Sequence, residues 1–464
     1  MARHAETPED DRAAAIHEAS LALLADPGVR LEHDDVQDLV VGAGGSLGGD
    51  SGAVRLPRAL VEECLAMCPS AVALAARDGT TRTMSARSEP VFWSCPGMYM
   101  HHDGTRRPFT SVDMAAMSRL LDRLEGASVV FGMSLDDVPP HARDVVGLSI
   151  IARNTSKHAR VLCFSPEGAD AIVAMREVVC DEPWLSVGFT AHGPLRWTHL
   201  ALDIFRRTAG HGIPVTVNGE PMAGATGPVT IAGAAAVGGA EILAGIVVNQ
   251  LLEPGRPCVY NLGLAHTMDM RTAIAVTGGP ENALFAQISG MMGRHYDIPS
   301  GSWASTEAMA PDAQAGLEKA FAYHTHVAAG VSAIWGIGQL ESELTISPAQ
   351  AVIDDEIIAH IGRYRRGYDV SEGALALDVT RDVGIAGSFL DSDHTLARFR
   401  DELHEPGALW RDRHSAWSAL GSPDLARRAE DIADGLMREP VRAPLDANQA
   451  AELDRITAGV LRAT

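Results

Sequence analysis

Residues 298–336 read IPSGSWASTEAMAPDAQAGLEKAFAYHTHVAAGVSAIWG. A short apolar run, Ile298–Trp303, leads through Ala310-Pro311-Asp312 into a stretch of helix-forming residues, and a second short apolar run, Val331–Gly336, closes the segment. Proline suits the first helical turn, because the amide hydrogen it lacks would have no partner there. Strand, helix and strand over this length make one βα unit.

The pattern extends outward from this segment. With the two runs above, eight β-rich runs lie between residues 91 and 336: Val91–Tyr99, Ser128–Leu135, Arg160–Phe164, Trp184–Thr190, Ile213–Val217, Cys258–Gly263, Ile298–Trp303 and Val331–Gly336. Their starts average about 34 residues apart, close to the roughly 31 per unit of an eight-unit barrel of ~250 residues. Proline marks helix starts at Ser165-Pro166-Glu167, Gly227-Pro228, Gly279-Pro280-Glu281, Ala310-Pro311-Asp312 and Ser347-Pro348. Alternation of apolar strands and helices predicts a parallel sheet covered by helices. Eight units predict closure into an α/β fold, a (β/α)8 TIM barrel over residues 89–348. The competing open doubly wound sheet lacks support, since no GxGxxG or GxxxxGK[ST] follows any run.

The flanks read as helical extensions. Residues 1–88 give a helix over Ala13–Ala25, stopped by Asp26-Pro27-Gly28, one short β excursion, and a second helix opened by Leu56-Pro57 and ended by Pro69. Residues 349–464 read as a C-terminal helical extension packed on the barrel, with helices at Val352–Ile361, Leu396–Leu403, Arg411–Leu420, Leu425–Met437 and Gln449–Leu461.

With Lys+Arg 38 against Asp+Glu 60, the 464-residue chain carries a formal charge of −22, which repels phosphate backbones and argues against nucleic acid as a partner. Only two of the basic residues are lysines, Lys157 and Lys319. Six cysteines without a CxxC pair are too sparse for a disulfide scaffold and fit a reducing, cytoplasmic setting. The acidic start, MARHAETPEDDR, is unlike a signal peptide. No uninterrupted apolar run reaches ~18 residues, so no membrane span is expected.

In a parallel barrel, chemistry gathers at the C-terminal ends of the strands. Polar and aromatic residues collect after the runs: Tyr99, His101, His102 and Asp103; Asp136 and Asp137; His192; Asn218 and Glu220; Asn261 and His266; Trp303, Thr306 and Glu307; Gln339 and Glu341. After the fifth run, Asn218-Gly219-Glu220-Pro221 leads into the small-residue stretch Met222–Pro228, which allows a ligand close to backbone and is equally explained by tight packing. His101-His102-Asp103 and His324-x-His326 lack zinc-type spacing, so no metal of its own is expected. Cys95 near a strand end reads as packing more readily than as a nucleophile.

Several segments, taken together and in order, resemble the trimethylamine methyltransferase family, in its branch without pyrrolysine that includes glycine betaine:corrinoid methyltransferase. They are Asn154–His158 (NTSKH), Met222–Ala234 (MAGATGPVTIAGA), Ala240–Val247 (AEILAGIV), Asp269–Thr272 (DMRT), Gly279–Glu281, Asp312–Glu318 (DAQAGLE) and Phe389–Thr395 (FLDSDHT). Ile16-His17-Glu18 and Val54–Pro57 also look like family pieces, so the resemblance covers most of the chain, and Lys157 lies inside one of its motifs.

The resemblance implies an eight-stranded barrel that moves a methyl group from a methylated amine to the Co(I) of a corrinoid (cobalamin), usually carried on a separate small protein. The chain holds no pyrrolysine, so the trimethylamine reaction that depends on it is not implied; a quaternary amine such as glycine betaine is the expected methyl donor. Aromatic faces attract such a cation by roughly 0.5–2 kcal/mol each. Trp303, Trp335, Tyr260, Trp93 and Phe164 are the cage candidates, although each taken singly also reads as core filling. Glu220 is the candidate counter-charge, with His192 and Asn218 beside it. The corrinoid would lie against Gly224, Ala225, Thr226, His266, Glu341 and His394. Other methyl partners (tetrahydrofolate, a methylated sulfur compound) and a non-catalytic betaine- or corrinoid-binding paralogue are the competing readings. A barrel of this size with helical extensions is also expected to form a homo-oligomer.

Overall fold

Seven of the eight apolar runs contain most of a barrel strand in the computed structural model, which describes residues 7–48 and 52–462; the third strand, His158–Arg160, ends where the expected run Arg160–Phe164 begins. The first six residues of the acidic N-terminal stretch lie outside the described residues. In chain order the barrel strands are Val91–Ser94, Ala127–Phe131, His158–Arg160, Leu185–Thr190, Val215–Asn218, Cys258–Gly263, Ser300–Trp303 and Ala333–Ile337. Each pairs in parallel with its sequence neighbours, and the eighth pairs with the first, closing the sheet. The predicted (β/α)8 barrel is the fold.

Two small sheets stand at the ends of the strands. One joins Met222–Ala223, His266–Met268 and Ala275–Val276; the other joins Gln339–Leu340, Thr345–Ile346, Tyr99–His102 and Thr105–Pro108. The run Val91–Tyr99 therefore divides: its start is barrel, its end belongs to the rim.

Helices Pro166–Val179, Pro280–Tyr296 and Pro348–Arg365 begin on proline as expected. Pro228 and Pro311 instead precede their helices. Ala313–Ala328 starts on an Asp312 cap, whose carboxylate accepts from the amides of Gln314 and Ala315 at 2.8 and 3.1 Å. Ile231–Leu252 is, among the described residues, long and apolar enough to cross a membrane, yet every residue from Ala234 to Gln250 is buried in protein. It lies between the barrel and helices Glu9–Ala25 and Arg58–Met67. Small residues set that spacing: a Cβ at Gly245 would come within 2.5 Å of Trp197 and Val217.

The N-terminal region carries more strand than the expected single excursion. Ser46–Gly48 pairs with Ala53–Arg55, Ala71–Ala75 pairs with Thr81–Ser85, and a helix spans Asp34–Gly42. Alanine-rich AVALA has no strong strand propensity; docking decides it. The carbonyl of Ala75 lies 3.0 Å from Nδ1 of His158 in the third strand, and that of Ser85 accepts from the Ser332 hydroxyl at 2.7 Å, so this hairpin covers the N-terminal end of the barrel. Lys157 serves the same end: its ammonium donates to the carbonyls of Leu121, Leu124 and Ala127.

Beyond Pro348–Arg365, helices Leu425–Arg438 and Ala447–Arg462 return to pack on the barrel helices, the first against Pro348–Arg365 and Ser111–Arg123, the second against Pro166–Val179 and Arg143–Asn154. Between the end of helix Pro348–Arg365 and helix Leu425–Arg438 the chain makes an arm: no residue from 362 to 407 is buried, although helices Glu372–Leu375, Leu377–Val383 and Asp393–Glu402 form there.

Candidate active site

Strand register decides what fills the barrel. Trp303 pairs with Trp335 and Trp335 with Trp93, so strands seven, eight and one place three indoles side by side. Trp93 and Trp335 stack with centroids 5.8 Å apart, and Phe131 on the second strand meets Trp335 edge-on at 5.4 Å. All four are buried, and the Nε1 hydrogens of Trp93, Trp303 and Trp335 have no hydrogen-bond partner among the described residues. Buried donors normally find one, so three unpaired indoles in one wall point to a polar ligand.

Arg160, opposite Phe131 in register, brings a positive charge to this wall. Its guanidinium lies 5.1 Å from the Phe131 ring and 5.9 Å from the Trp335 ring. Nη1 donates to the Val161 carbonyl at 2.7 Å and Nη2 to the Thr216 hydroxyl at 3.0 Å, while Nε has no partner. Burial without a carboxylate partner pushes its pKa down to about 9. Gly188 makes room for it, since a Cβ there would overlap the guanidinium.

Above Arg160 runs a polar ladder across strands four to six. Asn218 donates to the Thr190 hydroxyl at 3.0 Å and accepts from Asn261 at 2.8 Å, and Asn261 accepts from the Gly263 amide at 3.0 Å. Asn218 is thus fixed as a structural acceptor and donor at the strand end. Glu220, two residues on, has its pKa pushed up to about 8, by burial first and then by the carboxylates of Glu343 and Glu241. Glu241 accepts from the Leu195 amide at 2.9 Å through one oxygen and has no partner on the other; burial raises it to about 7. Burial also raises Glu343 to about 7. Glu343 ends a turn in which Glu341, Ser342 and Glu343 all have positive φ (53°, 47° and 74°), a conformation that costs energy for residues with a Cβ and is held by hydrogen bonds from the Glu341 and Ser342 amides to the carbonyls of Ala308 and Thr306. Three carboxyl groups with raised pKa values are thus collected at the strand ends, where a cation would stabilise their ionised forms.

Several expected site residues lie elsewhere. Tyr260 points outward from the barrel, its ring 5.6 Å from that of Tyr296 on helix Pro280–Tyr296, because the alternation that turns Asn261 inward turns its neighbours out. Phe164 follows the third strand and is 43% exposed. His192 is exposed on its loop, with Nδ1 3.2 Å from the Thr190 carbonyl. His394 lies on the exposed arm, with Nε2 3.3 Å from the Gly373 carbonyl. Gly224, Ala225 and Thr226 do not open a helix. They form a closed turn, in which the amides of Ala225, Thr226 and Gly227 all reach the Met222 carbonyl and the Thr226 hydroxyl accepts from the Met222 amide at 2.8 Å. His266 is buried beside this turn, its pKa lowered by burial and its Nδ1 2.7 Å from the Leu264 carbonyl. Glu341 is committed to Arg106, at 2.7 and 3.0 Å. Cys95 is buried with its thiol pushed well up by burial, as fits packing. Lys319 donates to the Ala304 carbonyl at 2.9 Å and pairs with Asp354 at 3.2 Å, pinning the ends of strands seven and eight.

Of the residues expected from the sequence, the structure brings Glu220, Asn218, Trp93, Trp303 and Trp335 to the strand ends, and it adds Arg160, Phe131, Glu241 and Glu343, which the sequence did not single out. An arginine opening an apolar strand and an acid inside an apolar helix were the available signals.

The fold and site define a (β/α)8-barrel protein whose strand ends combine an aromatic wall, an unpaired buried cation and a carboxyl cluster. The profile of the trimethylamine methyltransferase (MTTB) family matches residues 2–459, and the chain belongs to that family. It is 30% identical to a trimethylamine methyltransferase of Methanosarcina barkeri, over 96% of this chain and 93% of that one. A glycine betaine methyltransferase of Desulfitobacterium hafniense is 28% identical, over 88% of each chain. Among solved structures, the monomethylamine methyltransferase of Methanosarcina barkeri superposes with a TM-score of 0.52 at 12% identity, covering 92% of this chain and 86% of that one. That likeness is one of fold.

Proposed function

We propose that the chain transfers a methyl group from a zwitterionic quaternary amine, glycine betaine or a close relative, to the Co(I) of a corrinoid carried by a separate small protein in the cytoplasm. The observation that carries the choice of donor is Arg160, a buried guanidinium with no carboxylate among its hydrogen-bond partners and stacked by the rings that would face an ammonium. A substrate carboxylate would complete it, with charge-assisted hydrogen bonds. The indoles of Trp93, Trp303 and Trp335 offer faces to the trimethylammonium group and three spare N–H donors. Glu220, Glu241 and Glu343 add attraction for the positive end.

The corrinoid is the second substrate, and its Co(I) supplies the nucleophile. Gly224 and Ala225 project no side chain larger than a methyl group from the rim turn, which suits approach by a bulky planar group; Thr226, His266 and Glu341 lie at or near the rim with their hydrogen bonds already made, and His394 on the arm is outside that set. The permanent charge on the amine already makes it a leaving group, so the protein's task is to hold the methyl group in line and keep water out.

The test incubates the protein with Co(I) cobalamin and a panel of glycine betaine, other N-methylated betaines, choline, tetramethylammonium and trimethylamine, following methylcobalamin by absorbance and the demethylated amine by mass spectrometry. Methyl transfer from betaines and not from choline is expected. Transfer from none, or preference for an amine without a carboxylate, rejects this assignment.

The chain is further proposed to associate with a second copy of itself through the arm 362–407. Large apolar side chains there are exposed among the described residues, including Tyr368, Ile385, Leu390 and Leu396.

A further inference from the structure

Where the arm leaves and rejoins the body, Glu356, His360 and His404 converge. One ligand atom from each lies within 4.8 Å of the other two. Glu356 Oε1 is 3.0 Å from His404 Nε2 and 3.5 Å from His360 Nδ1, and the two imidazole rings meet edge to face with centroids 4.2 Å apart. Metal–ligand bonds of 2.0–2.1 Å in tetrahedral geometry place ligand atoms about 3.3 Å from one another, between these two distances. We infer that Glu356, His360 and His404 bind a divalent transition-metal ion, of the zinc class, that fastens the base of the arm to helix Pro348–Arg365.

The surroundings match a ligand set. Glu356 is buried, and its second oxygen accepts from the amides of Gly407 and Ala408 at 2.9 and 2.8 Å, which fixes the direction of the first. Glu356 and His360 share one helix face at i, i+4, and His404 is 48 residues beyond Glu356, on the returning chain. His360 Nδ1 also lies 3.0 Å from the Glu356 carbonyl; in the tautomer with the proton on Nε2, Nδ1 is free to ligate an ion. Two imidazoles and one carboxylate leave coordination positions for water. No residue of 362–407 is buried, and polar contacts at the base of the arm, such as Arg363 to the Glu402 carbonyl at 2.7 Å, tie it down beside this junction. The wide separation of the third ligand is why a search for zinc-type spacing passes over the site.

Untagged full-length protein, dialysed against a chelator and then metal-free buffer, is titrated with zinc and analysed for bound metal. One equivalent is expected, with visible d–d bands when cobalt replaces zinc, and slower limited proteolysis within 366–403 once metal is bound. His404→Ala and His360→Ala should lose the bound equivalent while keeping wild-type far-ultraviolet circular dichroism; His394→Ala, elsewhere on the arm, should keep it. Less than one equivalent of zinc, cobalt and nickel on the wild type, or equal uptake by His404→Ala, overturns the proposal.

Discussion

If the donor is a betaine as proposed, the buried Arg160 guanidinium is the residue whose loss should change selectivity most. A hydrogen bond to a charged partner contributes about 1.5–3 kcal/mol, so Arg160→Met should raise KM for glycine betaine roughly 10–100-fold and leave any slow turnover of choline unchanged, as measured by steady-state kinetics. Glu220 carries a pH signature. Its folded pKa, about 8, lies above the 4.5 of a free glutamate, so the folded state holds a proton that the unfolded chain has lost. Stability contributed this way is present below about pH 4.5 and is lost as pH rises toward 8. Denaturant titrations should show the ligand-free protein weakening between about pH 5 and 8, and Glu220→Gln should reduce that slope. Affinity for a quaternary ammonium should run the other way, strengthening as the carboxyls ionise, with the trend flattened in Glu220→Gln.

At the scale of elements, helix Ile231–Leu252 shows how composition and position differ. Its apolar, glycine-rich sequence is legible as a long helix. Why it needs glycine is not, because the answer lies in Trp197 and Val217, which touch it from other segments. Gly245→Val should destabilise the protein by about 1–3 kcal/mol through overpacking, read as a lower denaturation midpoint with unchanged slope. The small-residue turn Met222–Gly227 illustrates the same limit: a string of glycine and alanine predicts close approach, and here the close approach is of the chain to itself, around the Met222 carbonyl. Likewise AVALA becomes a strand by pairing with Thr81–Ser85, in a hairpin that the barrel end braces through His158 and the Ala75 carbonyl.

For the whole molecule, the exposed arm predicts assembly. Sedimentation velocity should show an oligomer, and replacing Tyr368, Ile385 and Leu390 together by serine should shift it toward monomer without changing the circular dichroism spectrum. A monomer at all concentrations would show that the arm has another purpose. With a formal charge of −22 the chain's overall field is negative, and a betaine, carrying no net charge, gains little from it; under the proposed function its selection falls to Arg160, the indoles and the carboxyl groups.

Period and chemistry along the chain were enough to determine eight βα units and their closure, and they pointed to the strand ends as the candidate site. These depend on local alternation, which one segment reveals by itself. Register was left to the tertiary structure. It put Trp93, Trp303 and Trp335 in one wall, turned Tyr260 away from it, and gathered Glu220, Glu241 and Glu343 from different segments. A side chain's face depends on one residue of strand phase, and its neighbours depend on strands far off in sequence, so neither could be read from one stretch alone.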